Sequence, residues 1–153
     1  MDGKEEVIAK NKKARFEYFL EDEWVAGMQL KGTEIKSIRA HKARITEAYC
    51  VMENGELFVR NMYIEPYAHG GHYNHAPTRD RKLLLHQHEL KKLRKKLKVS
   101  GNTCIPIELF ISSNGFAKLK IALATGKKLA DKRDDLKKKE AKRQMERGAS
   151  DRY

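Results

Sequence analysis

Only two cysteines, three prolines and one tryptophan occur among 153 residues, and no apolar run is long enough to suggest a bilayer span. A spanning helix needs roughly 18 consecutive apolar residues. The opening Met1-Asp-Gly-Lys-Glu-Glu6 also lacks the apolar core of a secretory signal, so the sequence predicts a cytoplasmic protein with no membrane partner. Cys50 and Cys104 form neither a disulfide framework nor a CxxC metal motif, and each lies in an apolar, strand-like run. Both are expected to be reduced core thiols. Acidic residues are the minority charge, 21 against 33 Lys and Arg, giving +12 and an isoelectric point near 9.7. Such an excess favours a polyanion, which a basic surface binds through phosphate contact and counterion release; nucleic acid fits better than a membrane surface.

The length suits one core, and 40% apolar residues can build it. The 35% charged content and a mean hydropathy of −0.76 imply that part of the chain lies outside that core. Residues 1–125 are read as the folded domain and 126–153 as a basic tail. After Leu123, only scattered Leu129, Leu136 and Met145 could be buried, and the run to Arg152 has no aromatic residue. Asp134 to Lys138 and Asp135 to Lys139 have helix-favouring i,i+4 order, at only about 0.2–0.5 kcal/mol per pair. The tail is therefore expected to be disordered when free and conditionally helical against an anionic surface.

Within the folded part, Phe16, Tyr18 and Leu20 alternate from Ala14 onward and Trp24 to Leu30 is apolar-rich, predicting strand or hairpin with Phe16 and Tyr18 in the core. Thr33 stands before a short helical pattern with Ile35 and Ile38 on one face and Lys36, Arg39 and Lys42 toward solvent. Asn54-Gly55 separates runs at Tyr49–Glu53 and Glu56–Tyr63, the dipeptide whose positive φ angles suit a two-residue hairpin turn. Asn114-Gly115 repeats this between Ile105–Ile111 and Phe116–Leu123, where Ser112 and Ser113 can widen the turn. Pro66 to Pro77 reads as loop, and the chain from Arg81 reads as helix, with Leu90, Leu93 and Leu97 in a narrow stripe among lysines. About five or six strands with helices and no βαβ alternation predict a mainly β protein, an oligonucleotide-binding-type (OB-fold-like) antiparallel barrel.

Phosphate binding is the strongest chemical signal, from basic clusters at Lys10–Arg15, Lys36–Arg44, Lys82–Lys98 and Lys127–Arg143. Phe16, Tyr18, Tyr63, Tyr67 and Tyr73 are candidates to stack on bases, with Tyr67 and Tyr73 in the loop the better placed. His69, His72 and His75, with His86 and His88, invite a zinc site, but no cysteine pair completes a closed ligand set, so surface or RNA-facing histidines are favoured. Glu21, Asp22 and Glu23 are adjacent near an expected turn and so diverge in direction; they are read as solvating it rather than as an acid/base pair. No GxxxxGK[ST], HExxH or GxSxG motif occurs, which removes the characteristic parts of nucleotide hydrolysis, zinc hydrolysis and the serine elbow. No catalytic, metal or cofactor residue is assigned.

Four ordered segments are specific: Asn11-Lys-Lys-Ala-Arg-Phe-Glu-Tyr18, Leu30-Lys-Gly-Thr-Glu-Ile-Lys-Ser37, Pro77-Thr-Arg-Asp-Arg-Lys-Leu-Leu-Leu85 and Gly126-Lys-Lys-Leu-Ala-Asp-Lys-Arg133. Together they resemble the small protein B family, the SsrA-binding proteins of bacterial trans-translation, from about Ile8 to about Arg143. The resemblance implies a barrel that binds the tRNA-like domain of transfer-messenger RNA and delivers it to stalled ribosomes, with no chemistry of its own. It assigns RNA contact to Asn11, Lys12, Lys36, Arg39, Lys82, Leu84 and Lys118. To Lys127, Lys128, Asp131, Lys132 and Arg133 it assigns the empty messenger channel and decoding centre of the small ribosomal subunit.

Three positions depart from the family pattern: Val25 where an acidic residue often precedes Ala-Gly, Ala76 where Asp usually precedes Pro-Thr-Arg, and Ala130 where an aromatic or His commonly precedes Asp-Lys-Arg. Ala76 removes a possible partner of Arg79 or Arg81, and Ala130 weakens any stacking by the tail. The chain is expected to be a monomeric RNA adaptor. A general ribosomal or single-stranded RNA-binding barrel and a histidine-loop metal enzyme are the rivals; preference for the tRNA-like domain separates the first, and bound zinc with turnover the second.

Overall fold

In the computed structural model, which describes residues 5–127, nine strands and three α-helices follow one another, with a single 3-10 turn at Gly71–Tyr73. They are β1 (Glu6–Lys10), α1 (Ala14–Glu17), β2 (Tyr18–Met28), α2 (Gly32–Arg39), β3 (Ala43–Arg44), β4 (Tyr49–Glu53), β5 (Glu56–Arg60), β6 (Tyr63–Ile64), β7 (Arg81–Leu84), α3 (Gln87–Leu97), β8 (Asn102–Ile111) and β9 (Ala117–Gly126). The main sheet runs β1-β8-β4-β5-β7-β2-β9, and a further β8–β9 pairing closes it into an antiparallel barrel, with β1 added outside on β8. Each of the six ring strands has a neighbour on both sides, the seams being thinnest at β2–β7, with two residue pairs, and at β4–β8, with Cys50 opposite Cys104. The barrel is the oligonucleotide-binding type expected. A small second sheet pairs β3 with β6.

Both Asn-Gly turns form as the sequence predicts. Asn54 and Gly55 have φ of 50° and 79°, and Glu53 faces Glu56 across a two-residue turn. Gly115, at φ 87°, closes the longer β8–β9 turn, where Ser112 and Phe116 bond across its base. Along β9, Leu119 and Ile121 point inward and Lys118 and Lys120 outward, the period of two that a half-buried strand imposes. Leu57, Val59, Leu83, Leu109 and Leu123 complete the interior, joined by Ile38 of α2 and Leu93 of α3. α2 sits by the β8–β9 turn, where Arg39 Nη2 donates to the Gly115 carbonyl at 3.2 Å. α3 lies at the other end of those strands, where Asn102 Nδ2 donates to the Lys96 carbonyl at 3.0 Å. The two helices thus close opposite ends.

Several local expectations are corrected. Arg81–Leu84 is a strand, not the start of a helix; period-two burial of Arg81 and Leu83 outweighed the helical stripe, which begins only at Gln87. Ala14–Glu17 forms one helical turn, so Phe16 is 81% exposed instead of lying in the core, and Tyr18 is half-buried. Glu21–Glu23 lies inside the single long strand β2 at a bulge, not in a turn, and Asp22 pairs with Lys96 of α3. That hydrogen bond holds the Asp22 carboxyl below its ordinary pKa. α2 starts one residue before Thr33, and β1, β3 and β6 were too short or polar to be read. Cys50 and Cys104 are buried and free, and they face each other across β4 and β8. Contact with Cys104 and burial raise the Cys50 thiol well above its usual range, so it stays protonated.

Candidate RNA interface

The best-defined polar centre lies behind the basic surface and unites two of the four sequence segments. Glu34 of α2 and Arg81 of β7 are fully buried. Glu34 Oε2 accepts from Arg81 Nε at 2.6 Å, and its Oε1 accepts from Arg79 Nη2 at 2.6 Å and from the Lys31 backbone N–H at 2.8 Å. Burial pushes the Glu34 carboxyl up, but the bonds from Arg79, Lys31 and Arg81 outweigh it and hold the group below its ordinary value. Burial lowers the Arg81 pKa, opposed by the Glu34 carboxylate. Arg81 also donates to the carbonyls of Met62, Ala76 and Pro77. The residue at 76 thus serves through its backbone, and Glu34 is the partner that both arginines use. No local signal in the sequence marks this centre, because Glu34 and Arg81 stand 47 residues apart.

His75, expected at the surface, is 4% exposed. Its Nε2 donates to the Ile64 carbonyl, so in the neutral ring Nδ1 accepts from the Thr33 hydroxyl, each at 2.9 Å. Both ring nitrogens are occupied in pinning the loop to α2. Among the described residues no three His, Cys, Asp or Glu side chains gather as a metal site.

Outside the barrel, the candidate residues fall into three neighbouring groups. Leu84 and Lys118 flank Gly27: a Cβ built on Gly27 would lie 3.5 Å from Leu84 Cβ and 3.7 Å from Lys118 Nζ. The glycine therefore leaves a notch between an exposed leucine and an ammonium group. Lys82, two residues before Leu84 on the same face of β7, is paired with Glu56. Asn11 and Lys12 line a cleft of about 320 Å³ with Lys10, Arg15 and Lys120, and with Glu23 and Glu108 as its acidic members. The Asn11 amide donates to Pro106 O at 3.2 Å, whereas its buried Oδ1 has no hydrogen-bond donor among the described residues. At the α2 end, Lys36 Nζ lies 5.1 Å from the Tyr67 ring centroid and Arg39 rests on the β8–β9 turn. Strand pairing links the first two groups: Gly27 faces Lys118, Val25 faces Lys120, and Lys120 faces Glu108. Val25 is 48% exposed, placing an apolar patch where an acidic side chain would reduce the positive charge.

Lys127, the last described residue, follows β9 and places Nζ 5.4 Å from the Phe19 ring. Lys128, Asp131, Lys132 and Arg133 lie outside the described residues. Ten residues of β9 separate this exit from the α2 end, roughly 33 Å at strand rise.

A closed small barrel whose outer strands carry lysines, with aromatic and apolar side chains between them, defines a nucleic-acid-binding protein of the oligonucleotide-binding class. The model of the SmpB protein family matches residues 8–151. The chain is 50% identical over 150 residues to the SsrA-binding protein of Anoxybacillus flavithermus, covering 98% of this chain and 97% of that one. It is 51% identical over 144 residues to the SsrA-binding protein of Christiangramia forsetii, covering 94% and 92%. Among solved structures, it matches one described as "tmRNA-SmpB: a journey to the center of the bacterial ribosome", with a TM-score of 0.65 and 43% identity over 77% of this chain and 82% of that chain. The chain belongs to the SmpB family.

Proposed function

We propose that this chain binds the tRNA-like domain of transfer-messenger RNA and carries it to stalled ribosomes, as a monomeric cytoplasmic adaptor without catalytic chemistry. The observation that carries this reading is the family match over residues 8–151, which spans both the lysine-bearing barrel and the tail. The Leu84–Gly27–Lys118 notch and the Asn11–Lys12 cleft hold the RNA, with Lys36, Arg39 and Lys82 contributing charge. Residues 1–125 act as the binding domain and 126–153 as the ribosome-reading tail, in which Lys127, Lys128, Asp131, Lys132 and Arg133 enter the empty messenger channel near the decoding centre. Physical chemistry supports this division, since a basic segment with few apolar residues gains order chiefly from an RNA-walled channel.

Titration of the isolated tRNA-like domain and an unrelated structured RNA of equal length, at several salt concentrations, tests the reading. A complex in the nanomolar range that weakens steeply with salt yet keeps its preference is expected. Equal affinity for both RNAs at every salt concentration would leave only the general RNA-binding barrel.

A further inference from the structure

Arg44 and Tyr63 form a feature that the barrel-face reading does not use. They face each other in the β3–β6 pair, with the Arg44 guanidinium carbon 4.4 Å from the Tyr63 ring centroid. Their chain neighbours are anchors: Ala43, Ile45, Met62 and Ile64 are all buried. Alternation along the two short strands therefore turns Arg44 and Tyr63 outward from a fixed base. The stacked pair borders a cavity of about 440 Å³ whose remaining walls are Thr46, Glu47, Asn61 and Thr78. Asn61 is held at φ 59°, and Thr78 is positioned by the bond from the Ile64 N–H to the Pro77 carbonyl. Arg44, Asn61, Tyr63 and Thr78 line neither the Asn11 cleft nor the Gly27 notch, whereas Thr46 and Glu47 also border a neighbouring cavity that Asn11 shares.

The charge at this place is not taken up by an ion pair among the described residues. Arg60, Arg79 and Arg81 are each engaged by carboxylates, whereas among the described residues Arg44 has no carboxylate within salt-bridge distance and rests on an aromatic face. A guanidinium stacked on a ring keeps its opposite planar face and its N–H edge free. That combination of a flat cation beside an aromatic ring in a shallow cavity suits an unpaired nucleobase, whose π face stacks while its 5′ phosphate meets the guanidinium edge. The hydroxyls of Thr46 and Thr78 and the Asn61 amide supply donors and acceptors for base edges.

The geometry points to a second RNA contact: the Arg44–Tyr63 platform takes one unpaired base of a bound RNA, separately from the barrel face. It rests on the reading of the chain as an RNA-binding adaptor and extends its footprint to the β3–β6 side. An acidic peptide is the competing occupant, since it could satisfy Arg44 without stacking.

Residue-resolved NMR of the full chain, titrated with single-stranded hexaadenylate and separately with a hexaglutamate peptide, tests the platform. Amide signals of Arg44, Asn61, Tyr63 and Thr78 should move with the RNA and much less with the peptide. Affinity read from those signals should fall roughly tenfold in Tyr63→Ala, the loss of one stacked base, and stay near wild type in Tyr63→Phe, which keeps the ring. Arg44→Gln should weaken it as well. Shifts confined to Gly27, Leu84 and Lys118, an unchanged affinity in Tyr63→Ala, or an equal response to the peptide would each overturn the platform. Loss of preference for the tRNA-like domain while the platform signals still respond would instead remove the transfer-messenger RNA reading and leave the platform standing.

Discussion

Replacing Glu34 by Gln keeps the side-chain volume but removes the charge that two arginines share. Arg81 is fully buried and would retain its positive charge beside an amide. Breaking a buried pair from one side costs about 3–5 kcal/mol, because the remaining charge stays desolvated. Arg79, whose side chain is 31% exposed, adds little to that figure, since water screens it. Against a typical total of about 5–15 kcal/mol, the loss is a large fraction of stability. It corresponds to a fall in Tm of roughly 10–20 °C for a domain of this size. Calorimetry of Glu34→Gln at neutral pH gives the number, with Arg79→Ala as the milder control. The pH dependence supplies a second check. The folded Glu34 pKa is depressed, so its stabilisation is complete above the unfolded value of about 4.3 and is lost as pH falls through the lower folded value. Glu34→Gln should therefore lose that part of the wild-type acid sensitivity. A Tm within two or three degrees of wild type, with the acid limb unchanged, would refute the claim that this buried centre holds α2 to β7.

Lys118→Ala should lower the slope of log affinity against log salt by about one phosphate contact, ~0.9. Lys82→Ala should lower it less, because Glu56 already compensates Lys82; filter binding across a salt series compares them, and equal slopes would contradict the pairing. Gly27→Ala should leave melting nearly unchanged, since a Cβ there meets Leu84 at ordinary contact distance. It should weaken RNA binding in the same filter assay, because the added methyl fills the notch between Leu84 and Lys118. Truncation after Lys127 should keep a cooperative melt, because the interior described above is built before that residue; loss of cooperativity would show that Leu129 or Leu136 completes the core.

Turn chemistry was the most legible layer of the fold. Asn54-Gly55 and Asn114-Gly115 located two hairpins because a positive φ is a local demand that few residues meet. Barrel closure through β8 and β9, by contrast, is a long-range pairing with no local signature. Arg81–Leu84 misled because a charged residue in a strand position looks like helix surface unless its partner is known, and that partner, Glu34, is 47 residues away. Phe16 misled for the opposite reason: its alternation with Tyr18 and Leu20 imitated a strand, while the chain makes a helical turn first. The basic surface was legible as clusters, yet the notch at Gly27 depends on β7, β2 and β9 meeting, which spacing alone does not encode.

The division between a barrel that holds RNA and a tail that reads the ribosome is tested most directly by comparing two variants in the same pair of assays. One carries Lys118→Ala in the barrel, and the other carries Asp131→Ala, Lys132→Ala and Arg133→Ala in the tail. Gel-shift titration with transfer-messenger RNA runs beside reconstituted peptide tagging on ribosomes stalled with truncated message, at matched RNA saturation. The account predicts that Lys118→Ala loses affinity but tags normally once saturated, whereas the tail variant keeps its affinity and fails to tag. Tagging by the tail variant at the wild-type rate, or a collapse of its RNA affinity in parallel with tagging, would contradict it.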